Sequence, residues 1–341
     1  MRASGISARL SGWLHVAQRG WRSIALVLVL TGLLYWSLAN APLSEIAATV
    51  GRLHLWQVAL LLAINALVVL AITLRWWLIV GAESRPIPLH VLAMYRLSVF
   101  AVSYFTPGPQ VGGEPLQALY LRRNHGISIA RAASTVVLDK LLEFLGNFVL
   151  IGAGLVAAFQ VGLLRTQPGS LAGSWPAIAV LLLVPPGYVL ALRLHRRPLS
   201  TVLRRLAPAL AQRRDFRLLA AAEQLTSTFL LRHPRPLLGA MLASLGAWLG
   251  MTGEYLLMLH FLAIDLPLLS GLAALTASLL AFLVPVPAGL GALEASQVLS
   301  LGVLGVPPAA AISLAILLRA RDLINAGLGL AFTTSSLLRP R

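Results

Sequence analysis

Apolar runs of bilayer-crossing length recur along the chain, separated by short polar or basic connections. They predict spans over residues 23–40, 56–80, 130–159, 175–194, 237–262 and 308–335, since about 20 consecutive apolar residues in a helix cross the hydrocarbon core. The first run is followed by Ala39-Asn40-Ala41, a small-x-small sequence of the kind cut by signal peptidase. Its length and the interfacial Trp36 favour a retained span. The second run ends at Arg75-Trp76-Trp77, which reads as a snorkelling arginine with aromatic anchors. Pro185-Pro186 predicts a kink in the fourth.

Two stretches, 88–123 and 268–304, do not follow this pattern. In each, a short apolar segment stops at helix breakers: Pro107, Gly108, Pro109, Gly112 and Gly113 in the first, Pro285, Pro287, Gly289 and Gly291 in the second. Broken backbone at membrane depth survives only when buried in protein or lining a wet cavity, so both are expected to be re-entrant hairpins. Residues 196–235 differ again. Leu199, Val202, Leu203, Leu206 and Leu210 recur at helical spacing among nine arginines, which predicts one or two amphipathic helices on the membrane surface.

Composition agrees with the pattern. Of 341 residues, 58% are hydrophobic and 11% charged, against about a quarter charged in soluble domains. The expected fold class is therefore all-α: a polytopic integral membrane helix bundle forming one domain. The formal charge of +16 could suggest nucleic acid, but the arginines cluster beside apolar runs, where they set topology and attract anionic lipid. We expect anionic membrane lipids as partners and no nucleic acid, with a homo-oligomer or a partner lipid synthase as open options. With the N-terminus cytoplasmic, the loops expected outside hold only Arg52 and Arg165 of the basic residues, so both termini are expected on the cytoplasmic side of a cell inner membrane.

This orientation sets the two broken segments against each other. Each has a Pro-x-Pro turn with nearby glycines, then a glutamate (Glu114, Glu294), then a glycine (Gly126, Gly305) and an Ala-rich helix carrying charges. The order is shared and the expected membrane orientation opposite, the pattern of an inverted-topology repeat with a binding site where half-helix ends meet. The ionisable residues expected inside the membrane are Glu114, Asp139, Lys140, Glu143, Glu254, Glu294, Arg319, Arg321 and Asp322. Each costs roughly 2.5–3.5 kcal/mol at a helix centre, so each needs a partner or a function. Asp139 and Glu143 share one helix face, and Arg319 and Asp322 could pair along another. Lys140 needs a partner from another helix or an anionic headgroup. We expect a polar lipid-headgroup cavity with Glu114 and Glu294 at the two tips, and Lys140, Arg319 and Arg321 as phosphate-binding groups.

The chain has no cysteine, and its seven histidines show no metal-ligand spacing. A P-loop, a dinucleotide-binding glycine pattern and a Gly-x-Ser-x-Gly elbow are all missing, so no cofactor, metal or catalytic residue is expected.

The segment Pro107 to Pro115, the basic elbow after it and Leu138–Glu143 (Leu-Asp-Lys-Leu-Leu-Glu) resemble the lysylphosphatidylglycerol synthetase transmembrane family, also called flippase-like. Pro285-Val-Pro-Ala-Gly-Leu-Gly, Glu294 and Gly305-Val-Pro resemble that family's second signature. The similarity covers about residues 20–335. Family members often carry Glu-Arg where this chain has Asp139-Lys140, and an arginine before the second glutamate where it has Leu293. Proteins of this kind that aminoacylate phosphatidylglycerol carry a soluble catalytic domain after the membrane part. The resemblance therefore implies a stand-alone membrane domain that translocates an anionic phospholipid or a polyprenyl-phosphate-type lipid. A membrane-embedded transferase using a lipid-linked sugar donor, with Glu114 as base, is the alternative. An accessory subunit of a lipid-modifying enzyme is another.

Overall fold

The computed structural model describes residues 51, 53–84, 86–106, 112–163, 175–206, 214–283, 289 and 291–338. The expected first span and the breaker residues Pro107, Gly108, Pro109, Pro285 and Pro287 lie outside them. Every regular element described is a helix: α1 (Leu55–Glu83), α2 (Leu89–Phe105), α3 (Glu114–His125), α4 (Ile129–Gln160), α5 (Trp175–Arg193), α6 (Pro198–Leu206), α7 (Arg214–Arg232), α8 (Pro234–Phe261), α9 (Leu268–Ala281), α10 (Ala292–Val303) and α11 (Pro308–Leu338). The protein is an all-helical membrane bundle. By length and composition α1, α4 and α8 are each able to cross a bilayer.

Proline and glycine set the helix limits. Pro88 and Pro267 stand just before α2 and α9, and α6, α8 and α11 begin on a proline, where its missing N–H costs nothing. α3 stops at Gly126, whose φ of +67° suits glycine and whose N–H donates to Arg122 O at 3.1 Å. In the second turn, Gly289 and Gly291 take φ of +61° and +76°. Gly113 serves differently: a Cβ there would overlap the Val99 carbonyl, so only glycine lets the chain fold back onto α2.

The order of helix lengths occurs twice. α1 to α4 contain 29, 17, 12 and 32 residues, and α8 to α11 contain 28, 14, 12 and 31. Most of the packing recurs with it. α1 lies against α8, and the α2–α11 contact has its counterpart in α9–α4, as α3–α4 has in α10–α11. Gly250 packs on Val68 and Gly239 on Leu78, so α1 and α8 run antiparallel. Gly250 lets the two helices approach closely, as small residues do between membrane helices, whereas Gly246 faces open space.

The helices α5 to α7 stand between the two sets. α7 packs on α4 and α5, burying Ala222, Thr226, Phe229 and Leu230, and so joins the bundle. By contrast α6 keeps an exposed apolar stripe, formed by Leu199, Val202 and Leu206.

Candidate functional site

Eleven charged side chains gather into two groups, one in each four-helix set. In the first, Asp139 on α4 takes Arg75 Nε at 2.7 Å and is also paired with Arg96 of α2. Glu143, one turn further on, takes Arg75 Nη2 at 3.0 Å, Arg96 Nη2 at 3.1 Å and Lys140 Nζ at 2.8 Å. Lys140 lies 3.1 Å from Glu114 Oε1 at the start of α3. Four helices thus meet through three bases and three acids. Asp139 and Arg75 are fully buried, and removing one partner of such a group leaves an uncompensated charge costing about 3–5 kcal/mol.

The second group lies on α8, α10 and α11. Arg319 donates from Nε at 2.8 Å to Glu294 and pairs with it again through Nη2. Arg321 holds Asp322 at 2.8 Å and Glu254 of α8 at 3.2 Å. Two bases face three acids here. Tyr104, near the end of α2, is within electrostatic reach of Glu294, Arg319, Arg321 and Asp322. Arg96 on the same helix belongs to the first group, so α2 links the two over eight residues, about 12 Å of helix rise.

Both glutamates after the breaks do the same double duty. Glu114 accepts the Gly112 N–H at 2.8 Å on one oxygen and faces Lys140 with the other. Glu294 accepts the Gly291 N–H at 3.0 Å on one oxygen and holds Arg319 with the other. Lys140 and Arg319 stand at the same place, each eleven residues after the first of its helix (140 from 129, 319 from 308). Each glutamate therefore fastens the turn of the broken segment to a basic side chain on the following long helix. Glu294 is the more open of the two, 32% exposed against 13% for Glu114.

All nine charged residues singled out in the sequence belong to these two groups. Two expectations about arginine surroundings are corrected. Arg75 does not snorkel to an interface: its side chain is fully buried on Asp139 and Glu143. Arg319 pairs with Glu294 from another helix, and the partner of Asp322 is Arg321. Lys140 faces an acid from another helix, Glu114 of α3, and also Glu143 on its own helix.

Sequence reasoning missed Arg75, Arg96 and a pair of glutamines. Gln117 and Gln297 each follow a glutamate by three residues (Glu114-Pro-Leu-Gln117, Glu294-Ala-Ser-Gln297), and that repeated spacing is the signal that could have found them. Both are fully buried. Gln297 accepts from Tyr255 Oη at 2.6 Å and donates to Ser278 Oγ at 2.9 Å. Among the described residues neither polar atom of Gln117 has a partner, and Trp76 Nε1 and Tyr120 Oη are likewise unpartnered. Arg319 Nη1 is a further donor left over.

Comparison with curated proteins and with solved structures found no match. A family model described as "Lysylphosphatidylglycerol synthase TM region" matches residues 23–329, a description that fits a lipid-related function in the membrane. With that match spanning nearly all of a chain built as a helical membrane bundle, the protein belongs to the lysylphosphatidylglycerol synthase transmembrane-region family.

Proposed function

We propose that the protein is a flippase-like lipid translocase of the cell inner membrane, carrying the headgroup of an anionic phospholipid or a polyprenyl-phosphate-type lipid through the polar region between its two broken segments. The tails would stay in the bilayer. The observation that carries this is the matched pair of turn glutamates, each holding a basic side chain from the helix that follows. A phosphate arriving at Lys140 or Arg319 would compete with the glutamate for the base, and so would loosen the turn from the long helix. Binding and movement are thereby coupled through one ion pair on each side. Arg319 Nη1 is a spare donor for such a phosphate.

We read the two four-helix sets as an inverted-topology repeat. Support comes from the recurring lengths and contacts, and from the antiparallel packing of α1 on α8, as expected of equivalent helices related by an axis in the membrane plane. Alternating access would then be rocking of one set against the other. In this arrangement the α3–α4 elbow is cytoplasmic, as are the termini, and the α10–α11 elbow is outside. The transferase alternative is less favoured because Glu114, the base it needs, is already engaged with Gly112 and Lys140.

The test is reconstitution in liposomes with fluorescent phosphatidylglycerol or a labelled polyprenyl phosphate. Movement between leaflets is expected well above that of empty vesicles, reduced at least tenfold by Arg319→Gln or Lys140→Gln. Movement no faster than in empty vesicles for every anionic lipid tried would refute translocation.

A further inference from the structure

The connection between the two helix sets contains a cavity that the charged groups in the bundle do not use. It has a volume of about 710 Å³ and lies where α5 ends, between α6 and α7. Arg196, Arg197, Arg204 and Arg205 line it, with Phe216 as an apolar wall. None of these arginines forms an ion pair among the described residues, although four cations around one cavity repel each other.

The cavity is held in shape by its own backbone. Glu223 of α7 is buried, and it accepts the N–H groups of Leu199 and Ser200 at 3.0 Å and the Tyr188 hydroxyl at 3.1 Å. That carboxylate fixes the start of α6 to α5 and α7. It also occupies the α6 N-terminus, so an anion entering the cavity meets guanidinium groups and not that helix end. Ser227 Oγ of α7 donates to Leu192 O of α5 at 2.6 Å, and His195 takes a left-handed φ of +55° that turns the chain into Arg196-Arg197. A carboxylate was available nearby and is used to build the frame, leaving the arginines free to face an incoming anion.

We infer that this cavity is a binding site for a phosphate-bearing anion of two or more charges, such as a diphosphate or a terminal phosphomonoester, separate from the two charged groups of the bundle. Four planar forks around a concavity can each engage two phosphate oxygens, which a smooth basic surface cannot do. The exposed stripe Leu199, Val202 and Leu206 suits α6 to the acyl boundary, placing the arginines at headgroup level. The same chemistry would accept a lipid headgroup or a soluble diphosphate. The site does not depend on the translocase proposal: an enzyme or an accessory subunit could equally use it.

The test uses the full chain in phosphatidylcholine nanodiscs, reading hydrogen exchange of the 191–206 amides. One arm adds inorganic pyrophosphate. Another replaces part of the lipid with phosphatidic acid, and a third with phosphatidylglycerol at matched surface charge. Protection by pyrophosphate assigns a site open to soluble anions, and protection by phosphatidic acid alone assigns a lipid-borne one. In either case Arg196→Gln/Arg204→Gln should weaken binding at least tenfold. If neither pyrophosphate nor phosphatidic acid protects more than phosphatidylglycerol, the basic surface is only an electrostatic lipid contact and the site does not exist. Wild-type competition between pyrophosphate and sulfate decides the same question without a variant, with a site requiring pyrophosphate to win.

Discussion

Laid side by side, the two four-helix sets share their framework and differ in how they satisfy it. Arg75 in α1 and Glu254 in α8 occupy equivalent places, each twenty residues after the start of its helix (75 from 55, 254 from 234), with opposite charge. Arg75 reaches two acids on α4, whereas Glu254 reaches one base on α11. The first group is charge-balanced and closed by six contacts. The second has an acid in excess, fewer contacts and a more open glutamate. The glutamines reverse the contrast, since Gln297 is bonded through both its oxygen and its nitrogen in the second set and Gln117 is orphaned in the first. Two copies of a backbone plan can thus be locked by different chemistry: the first by a balanced ionic cluster, the second by fewer ion pairs with a neutral glutamine network beside them.

The largest effect should come from breaking the ionic lock. Asp139→Asn takes the buried partner from both Arg75 and Arg96, leaving each with Glu143 only, and should cost about 3–5 kcal/mol. Asp322→Asn leaves Arg321 its bond to Glu254 and should cost less, about 1–3 kcal/mol. Equilibrium unfolding in one detergent-lipid mixture measures both, and equal losses would contradict the contrast.

A smaller difference should separate the glutamines. Gln297→Met strands the Tyr255 and Ser278 hydroxyls and should cost about 1–3 kcal/mol, while Gln117→Met, of similar shape, removes only unbonded groups and should be nearly neutral. A Gln117→Met loss as large as that of Gln297→Met would show that Gln117 is bonded in the membrane.

The smallest effect should come from exchanging the basic groups that hold the turn glutamates. Arg319 places two nitrogens on one Glu294 oxygen, so Arg319→Lys should cost about 1 kcal/mol through the lost fork. Lys140 holds its two acids through a single nitrogen, and Lys140→Arg should stay within about 0.5 kcal/mol of the wild type. The same unfolding measurement decides, with a reversed order counting against the geometry.

The helical bundle and the nine charged positions were legible because an acid in an apolar run is conspicuous, and a Pro/Gly break in one equally so. Pairing was less legible, since helical periodicity reports only neighbours three or four positions away. It suggested Arg319 with Asp322, whereas Glu294 arrives from 25 positions away once α10 packs on α11. Arg75 is hard to read for a related reason. An arginine beside two tryptophans at the end of an apolar run looks the same in sequence whether it snorkels to lipid headgroups or turns inward, and Asp139 is 64 positions distant. Gln117 and Gln297 carried a readable repeated spacing, but uncharged polar residues in apolar helices stand out little.

The claim that the two sets are mounted in opposite orientations is open to direct measurement, because the chain contains no cysteine of its own. Single cysteines at Asn124, where α3 meets α4, and at Val303, where α10 meets α11, can be labelled with a membrane-impermeant maleimide in intact cells and in inverted vesicles. Opposite mounting predicts that position 303 reacts in cells and position 124 only in inverted vesicles. Labelling of both from the same side would contradict it.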